Sequence, residues 1–306
     1  MYDKQKVIDI ALAEVGYLEK ADNTQLDEKT ANAGNKNRTK YARDLDALWF
    51  YNTGKQGVQW CDVFVDWTFV RAYGLSAALA LTCQALGSAG AGCRYSRGYY
   101  KNKGQLFDTP EPGDQVFFWP SNRSDPNAVQ HTGLVVAVDE EYVYTVEGNT
   151  SGASGVVSNG GGVFQKKYKR GYSRFAGFGR PRWDMDEVEQ MARRTIRKGD
   201  KGPDVLELQK LLNLDRRYGG LAEDGVFGSG TLSSVRAFQG DNNLTPDGIV
   251  GPKTWAVLDK VAQDRPVEAP DGPQEPLNNW DTLSLEEKVE NLNERLKRQE
   301  GGESDA

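Results

Sequence analysis

The chain of 306 residues contains one histidine, His131. Chemistry that needs two imidazoles is thereby excluded, including the HExxH zinc proteases and the two-histidine zinc amidases. Cysteine is scarce too. Cys61, Cys83 and Cys93 form no CxxC pair, which removes zinc ribbons and thioredoxin-like sites. An odd thiol count, and no apolar stretch after Met1-Tyr2-Asp3-Lys4, point to reduced cysteines and synthesis in a cytosol without a signal peptide. The longest mostly apolar run, near 77–86, has about ten residues against the roughly 20 of a membrane helix, so no membrane insertion is expected. No GxxxxGK[ST] loop is present, which argues against a nucleotide-dependent acyl transferase.

What remains is an ordinary globular composition, 38 % hydrophobic and 27 % charged, in a length that suits about two domains of roughly 150 residues. The net charge of −6 is uneven. Residues 1–184 carry 22 Lys+Arg against 20 Asp+Glu, whereas 267–306 carry 4 against 11, so acidity belongs to the tail. Within 166–182, Lys166, Lys167, Lys169, Arg170, Arg174, Arg180 and Arg182 interleave with Tyr168, Tyr172, Phe175 and Phe178. This reads first as a solvated strand with stacked aromatics, then as a steering patch for an anionic polymer, and least as a nucleic-acid groove. No nucleic-acid partner is expected.

Periodicity predicts a helix over 4–15 stopped by Gly16, a polar surface loop over 20–40, and a helix from Trp60–Cys61 ended by Gly74. A third helix is predicted from Ser76 to Leu86, closed by Gly87. The period then shortens. Gln115–Trp119 follows a Pro112-Gly113-Asp114 turn, and Thr132–Val138 and Tyr142–Asn149 flank Asp139-Glu140-Glu141 as a β-hairpin. Helices followed by antiparallel strands predict an α+β domain over 1–184.

Over 185–263, Asp224-Gly225-x-x-Gly228-x-x-Thr231 recurs as Asp247-Gly248-x-x-Gly251-x-x-Thr254. Each copy reads as tight turns followed by a threonine-capped helix, which predicts a small three-helix domain with an earlier helix over 204–214. Residues 264–282 read as a proline-rich linker. In 283–306, Leu285, Val289, Leu292 and Leu296, with Ser284 and Glu287 as a capping box, read as an acidic amphipathic helix, either isolated and frayed, or docking or weakly self-associating through 283–299.

Cys61 falls where a helix begins, and the positive dipole end favours a thiolate there. A turn centred on residue 140 places His131 opposite Asn149, with Glu147 two residues along on the same face. Either side chain could orient the imidazole, and an asparagine after Gly148 equally suits a turn. A helix-borne cysteine, a strand-borne histidine and a polar orienter are the parts of a papain-like nucleophilic site.

Four blocks carry a resemblance: Gln59-Trp60-Cys61-Asp62-Val63-Phe64-Val65-Asp66-Trp67, Pro112-Gly113-Asp114-Gln115-Val116-Phe117-Phe118, His131-Thr132-Gly133-Leu134-Val135 and Val146-Glu147-Gly148-Asn149-Thr150. Residues 1–182 resemble the CHAP domain, the cysteine- and histidine-dependent amidohydrolase/peptidase family related to the NlpC-type peptidases. The resemblance implies a papain-like fold with Cys61 as nucleophile, His131 as general base and then acid, and Glu147 and Asn149 as orienters. It also implies bacterial peptidoglycan as substrate, cut at an amide bond either as an N-acetylmuramoyl-L-alanine amidase or as an endopeptidase. The Cys61 N–H would be one oxyanion donor. Gln59 is a candidate for the second, or equally a surface residue at the start of the helix.

The repeat resembles the three-helix peptidoglycan-binding domain, which makes Asp224, Gly225, Asp247, Gly248 and Trp255 candidates for wall binding, with Trp60 a candidate beside the nucleophile. Together the halves look like a phage or prophage endolysin, made in the bacterial cytoplasm and reaching the wall after holin-type or lytic release. The alternative is a phage tail or baseplate component with a local wall-degrading domain. Cys83 and Cys93 read as structural thiols. Residues 22–28 lack calcium-loop spacing, so no metal and no cofactor are expected.

Overall fold

The computed structural model describes residues 2–48, 50–85, 87–88, 90–121, 128–157, 159–185 and 195–263, with Glu287, Glu290, Asn291, Asn293 and Glu294. The predicted linker, and all but those five residues of the predicted terminal helix, lie outside the described residues. The five are helical. No described helix is long and apolar enough to cross a membrane. The chain divides into two compact units, one centred on residues 3–72 and 78–183, the other on 184–269 with the short stretches 1–2 and 73–77.

In the first unit, α1 (Lys4–Ala13) is N-capped by Asp3 and buries Val7, Ile8, Ala11 and Leu12. Gly16, at φ +90°, turns the chain beyond it. The polar stretch after α1 lies on the surface but is tied down. Asp22 accepts from the Thr24 N–H, the Thr24 hydroxyl and the Asn32 amide, while the buried Lys20 reaches the Lys29 carbonyl. A helix not expected from sequence, α2 (Lys40–Ala47), follows an N-cap at Thr39, whose hydroxyl accepts from the Ala42 N–H at 3.1 Å.

The long helix α3 (Cys61–Leu81) contains Gly74 at φ 76° and ψ 171°, so the two helices predicted there exist as halves of one kinked element. The second half stops at Leu81 rather than Leu86. Cys83 enters the left-handed region at φ 61°, and the Gln84 N–H closes back onto the Leu79 carbonyl. Another unexpected helix, α4 (Cys93–Asn102), starts after Gly92.

The remainder is an antiparallel sheet of β1 (Leu106–Phe107), β2 (Gln115–Phe118), β3 (His131–Val138), β4 (Tyr142–Thr150), β5 (Gly162–Lys169) and β6 (Phe175–Gly179), in the order β1-β6-β2-β3-β4-β5. The fold is therefore α+β, as expected. One face carries Gln115 and Gly148 toward α3; a Cβ on Gly148 would come within 2.5 Å of Phe64. The other face carries the cluster of Val116, Phe118, Val135, Val143, Tyr168 and Phe178. The basic segment lies in β5, β6 and their flanks, where several cations are structurally engaged. Lys166 bonds the Ala153 carbonyl, Arg174 the Trp119 carbonyl, and Arg180 both Asp114 and Glu111.

The second unit holds α5 (Pro203–Asn213), α6 (Ser229–Asp241) and α7 (Pro252–Gln263) around Ile196, Val205, Leu208, Phe227, Val235, Phe238, Val250, Trp255 and Leu258. The sequence repeat is a repeat of hydrogen bonds. Gln209 Nε2 donates to Asp224 Oδ1 (2.9 Å), the Val226 carbonyl (3.1 Å) and Thr231 Oγ1 (3.3 Å), while its Oε1 accepts the Gly225 N–H. Gln239 repeats this with Asp247 (2.9 Å), the Ile249 carbonyl (3.0 Å), Thr254 (3.3 Å) and the Gly248 N–H. Thr231 is therefore not the expected N-cap. Gly228 occupies that position, and the threonine hydroxyl links the preceding turn to the glutamine.

Candidate active site

Because α3 begins at Cys61, the thiol lies where first-turn N–H groups have no intrahelical acceptor. The start of the helix is fixed from three directions. Trp60 is fully buried, donates from Nε1 to Glu19 Oε2 at 2.9 Å, and packs its ring 5.5 Å from that of Tyr41. Asp62, also buried, accepts from Ser96 of α4 (2.7 Å) and from Gln115 of β2 (2.8 Å). Gln115 donates in addition to Thr132 on β3 at 3.1 Å. One residue from the thiol, α3, α4 and the sheet are thus joined by buried hydrogen bonds. Burial pushes the Asp62 carboxyl up to about 7, against the lowering effect of Ser96 and with a further rise from Cys61.

His131 opens β3, wholly buried, its ring stacked 5.9 Å from Phe118. The hairpin pairs Leu134 with Val146 and Val135 with Thr145, the register the sequence predicts at this end; an irregularity between Val135 and Ala137 shifts it toward the turn. Glu147 Oε2 lies 2.9 Å from His131 Nε2. Its other oxygen accepts from Thr145 (2.7 Å) and Tyr168 (2.9 Å), so the carboxylate cannot swing away without losing both.

The second expected orienter is placed elsewhere. The β4–β5 register shifts between Glu147 and Thr150, and Asn149 takes a left-handed φ of 55°. Its amide nitrogen lies 3.5 Å from Asn159 Oδ1, while its own oxygen is buried without a hydrogen bond.

With Nε2 committed to Glu147, the other ring nitrogen, Nδ1, is buried without a hydrogen-bond partner, and the imidazole and the Cys61 thiol act on each other electrostatically. Burial alone would lower the imidazole pKa, but Cys61 and Glu147 outweigh it and raise it to about 9. The Cys93 thiol lowers Cys61 well below the ordinary thiol range, against desolvation, with His131 and the Asp62 N–H assisting. Shifts of opposite sign favour a thiolate–imidazolium pair near neutrality.

Cys93 is the residue that sequence reasoning set aside. It is the first residue of α4, and its sulfur lies 3.5 Å from that of Cys61. Only its position at a helix start after Gly90-Ala91-Gly92 could have drawn attention to it. Gln59 is exposed next to Trp60.

Other expected binding residues serve the fold. The rings of Trp60 and Trp255 are both buried, so neither offers a face to a sugar. Asp224 and Asp247 are exposed, but each Oδ1 accepts from a glutamine and from the backbone two residues on. Gly225 and Gly248 supply the positive φ of these turns, at 67° and 75°.

Comparison with known proteins bears on the second unit. Residues 201–258 match the family model described as "Putative peptidoglycan binding domain". The chain is similar to the spore cortex-lytic enzyme of Bacillus cereus, 39 % identical over 79 residues that make up 26 % of this chain and 30 % of that enzyme. The Bacillus subtilis enzyme of that name is 40 % identical over 76 residues, 24 % of this chain and 25 % of the enzyme. Among solved structures, one titled "The crystal structure of SleB N-terminal domain" is 41 % identical, covering 23 % of this chain and 96 % of that one, with a TM-score of 0.22. The chain thus spans under a third of the length of the spore enzymes it matches. Residues 201–258 are a helical domain of the peptidoglycan-binding class.

Proposed function

We propose that this protein hydrolyses an amide bond of bacterial peptidoglycan by cysteine-dependent acyl transfer, with residues 201–258 holding it to the wall. The observation that carries the reading is the linked set Cys61, His131 and Glu147. A thiol at a helix start stands with an imidazole whose far nitrogen is fixed by a carboxylate anchored twice over. The second unit, and the similarity to enzymes named for lysis of spore cortex, support the wall as the polymer. The four-block resemblance to CHAP domains, with a papain-like arrangement, supports the bond type.

In this mechanism the Cys61 thiolate attacks the amide carbonyl and a C–S bond forms. The Cys61 N–H, at the start of α3, receives the oxyanion. His131, protonated at Nδ1, gives that proton to the departing amine as the C–N bond breaks. The neutral imidazole then takes a proton from water, whose oxygen attacks the thioester, and the thiolate returns with His131 protonated. Glu147 favours the charged ring in both half-reactions.

The test is digestion of purified peptidoglycan by the full chain, with mass spectrometry of the soluble products. A newly exposed L-alanine amine marks the amidase, and an amine of a stem or bridge residue marks an endopeptidase. Folded Cys61→Ala should release neither. Equal release by Cys61→Ala and wild type would overturn the reading.

A further inference from the structure

A second thiol stands beside the proposed nucleophile, and hydrolysis does not use it. Cys61 and Cys93 are each the first residue of a helix, both free, and each is 6 % exposed. Their sulfurs are 3.5 Å apart, within the range of about 3–3.5 Å at which reacting atoms are positioned for attack. We infer that Cys61 and Cys93 form a hydroperoxide-reactive dithiol, with Cys61 the attacking sulfur and Cys93 the resolving one, closing to an intramolecular disulfide that masks the nucleophile.

The chemistry balances with a hydroperoxide as the two-electron oxidant. The Cys61 thiolate attacks the distal peroxide oxygen, so an S–O bond forms, the O–O bond breaks, and an alkoxide leaves and takes up a proton. Cys61 is now a sulfenic acid. Cys93 attacks that sulfur, the S–S bond forms, and hydroxide leaves with the Cys93 proton as water. The net change converts two thiols and a peroxide to a disulfide, an alcohol and water. A dithiol reverses it by exchange.

The two thiols divide these roles. The 3.5 Å contact between the two sulfurs lowers the Cys61 pKa and, together with burial, raises that of Cys93. Nucleophilic attack requires the thiolate, and the thiolate is Cys61. Cys83 packs on the same apolar cluster, but burial pushes its thiol up to about 11 and its sulfur is 3.9 Å from the Leu81 carbonyl. It is the internal control.

The inference rests on the reading of Cys61 as a thiolate nucleophile, and its test does not depend on wall cleavage. Full-length protein is treated with hydrogen peroxide, alkylated under denaturing conditions and analysed by intact and peptide mass spectrometry. In wild type and in Cys83→Ala, the mass should fall by two hydrogen atoms, and a Cys61–Cys93 linked peptide should appear that dithiothreitol separates. Alkylatable thiols in wild type should drop from three to one. Cys93→Ala should gain oxygen at Cys61 instead, passing to the sulfinic acid that dithiothreitol does not restore. Wild-type protein that gains oxygen at Cys61 while Cys93 stays alkylatable would overturn the proposal, and so would a link through Cys83. Disulfide formation without any wall cleavage would leave this inference standing and remove the hydrolase reading.

Discussion

At the residue scale the site is a division of labour between two nitrogens of one ring. Glu147 holds Nε2, and its own geometry is set by Thr145 and Tyr168, so charge and position are separable. Glu147→Gln keeps the shape but removes the charge. We expect it to lower turnover by at least about 100-fold, as loss of the buried carboxylate does in serine triads, and to move the alkaline limb of the pH profile down. Asn149→Ala should leave that limb in place, because its amide does not reach the imidazole.

In wild type, activity should rise as the Cys61 proton is lost and fall as pH passes about 9, where His131 gives up its proton. The stability linked to His131 has the same sign. Its pKa is raised in the folded state, from 6.5 to about 9, so its contribution is complete below 6.5 and is lost as pH climbs through 9. Cys61, lowered in the folded state, contributes with opposite sign over the same window, so the His131 part is read as a difference: thermal melts of wild type should fall relative to those of Glu147→Gln as pH climbs from 6.5 through 9.

At the scale of elements, the hairpin was readable because two β-branched and aromatic-rich runs flank a three-residue acidic turn that fixes its centre. The His131–Glu147 relation followed by counting. Asn149 read equally as an orienter or as a turn residue, and its left-handed φ agrees with the second, a conformation that leaves no trace in a count of strand positions. The helices α2 and α4 escaped notice for a different reason. They are short and largely polar, and each buries only a few side chains, Lys40, Tyr41, Ala42 and Leu45 in the first and Cys93, Ser96 and Tyr100 in the second. With α4 unseen, Cys93 had no place near Cys61.

Strand contacts also predict a clean perturbation. A Cβ on Gly133 would lie 2.5 Å from Glu147 Cγ, whereas one on Gly171 meets nothing within 4 Å. Gly133→Ala should cost about 1–3 kcal/mol in denaturant unfolding and depress turnover with it, because the group displaced is the orienting carboxylate. Gly171→Ala should match wild type in both measurements.

At the scale of the whole molecule, the match to a peptidoglycan-binding family model belongs to the second unit, and the proposed cysteine chemistry to the first. The repeat was visible as Asp-Gly turns, yet the residues that unify it, Gln209 and Gln239, were not. They stand 15 and 8 residues before their turns, so no fixed spacing marks them. Helix α6 serves both copies, receiving one glutamine through Thr231 and supplying the other as Gln239.

Gln239→Ala removes the partner of a whole turn and should destabilise the second unit by roughly 2–3 kcal/mol. In the full chain we expect co-sedimentation with insoluble wall to fall while hydrolysis of soluble wall fragments stays at the wild-type rate. Parallel loss of both would show that residues 201–258 act in the chemistry itself and not in retention.

The lone imidazole has one more use. Because His131 is the only histidine in the chain, with Nε2 held by Glu147 and the Cys61 thiol acting on the ring electrostatically, selective nitrogen-15 labelling of histidine would yield a spectrum with a single reporter, already sited at the point of interest. Its two ring nitrogens would register substrate capture, acyl-enzyme formation and thiol oxidation as distinct shifts, with no assignment problem to solve. If the proposed insoluble, optically silent substrate is the natural one, the molecule carries its own probe.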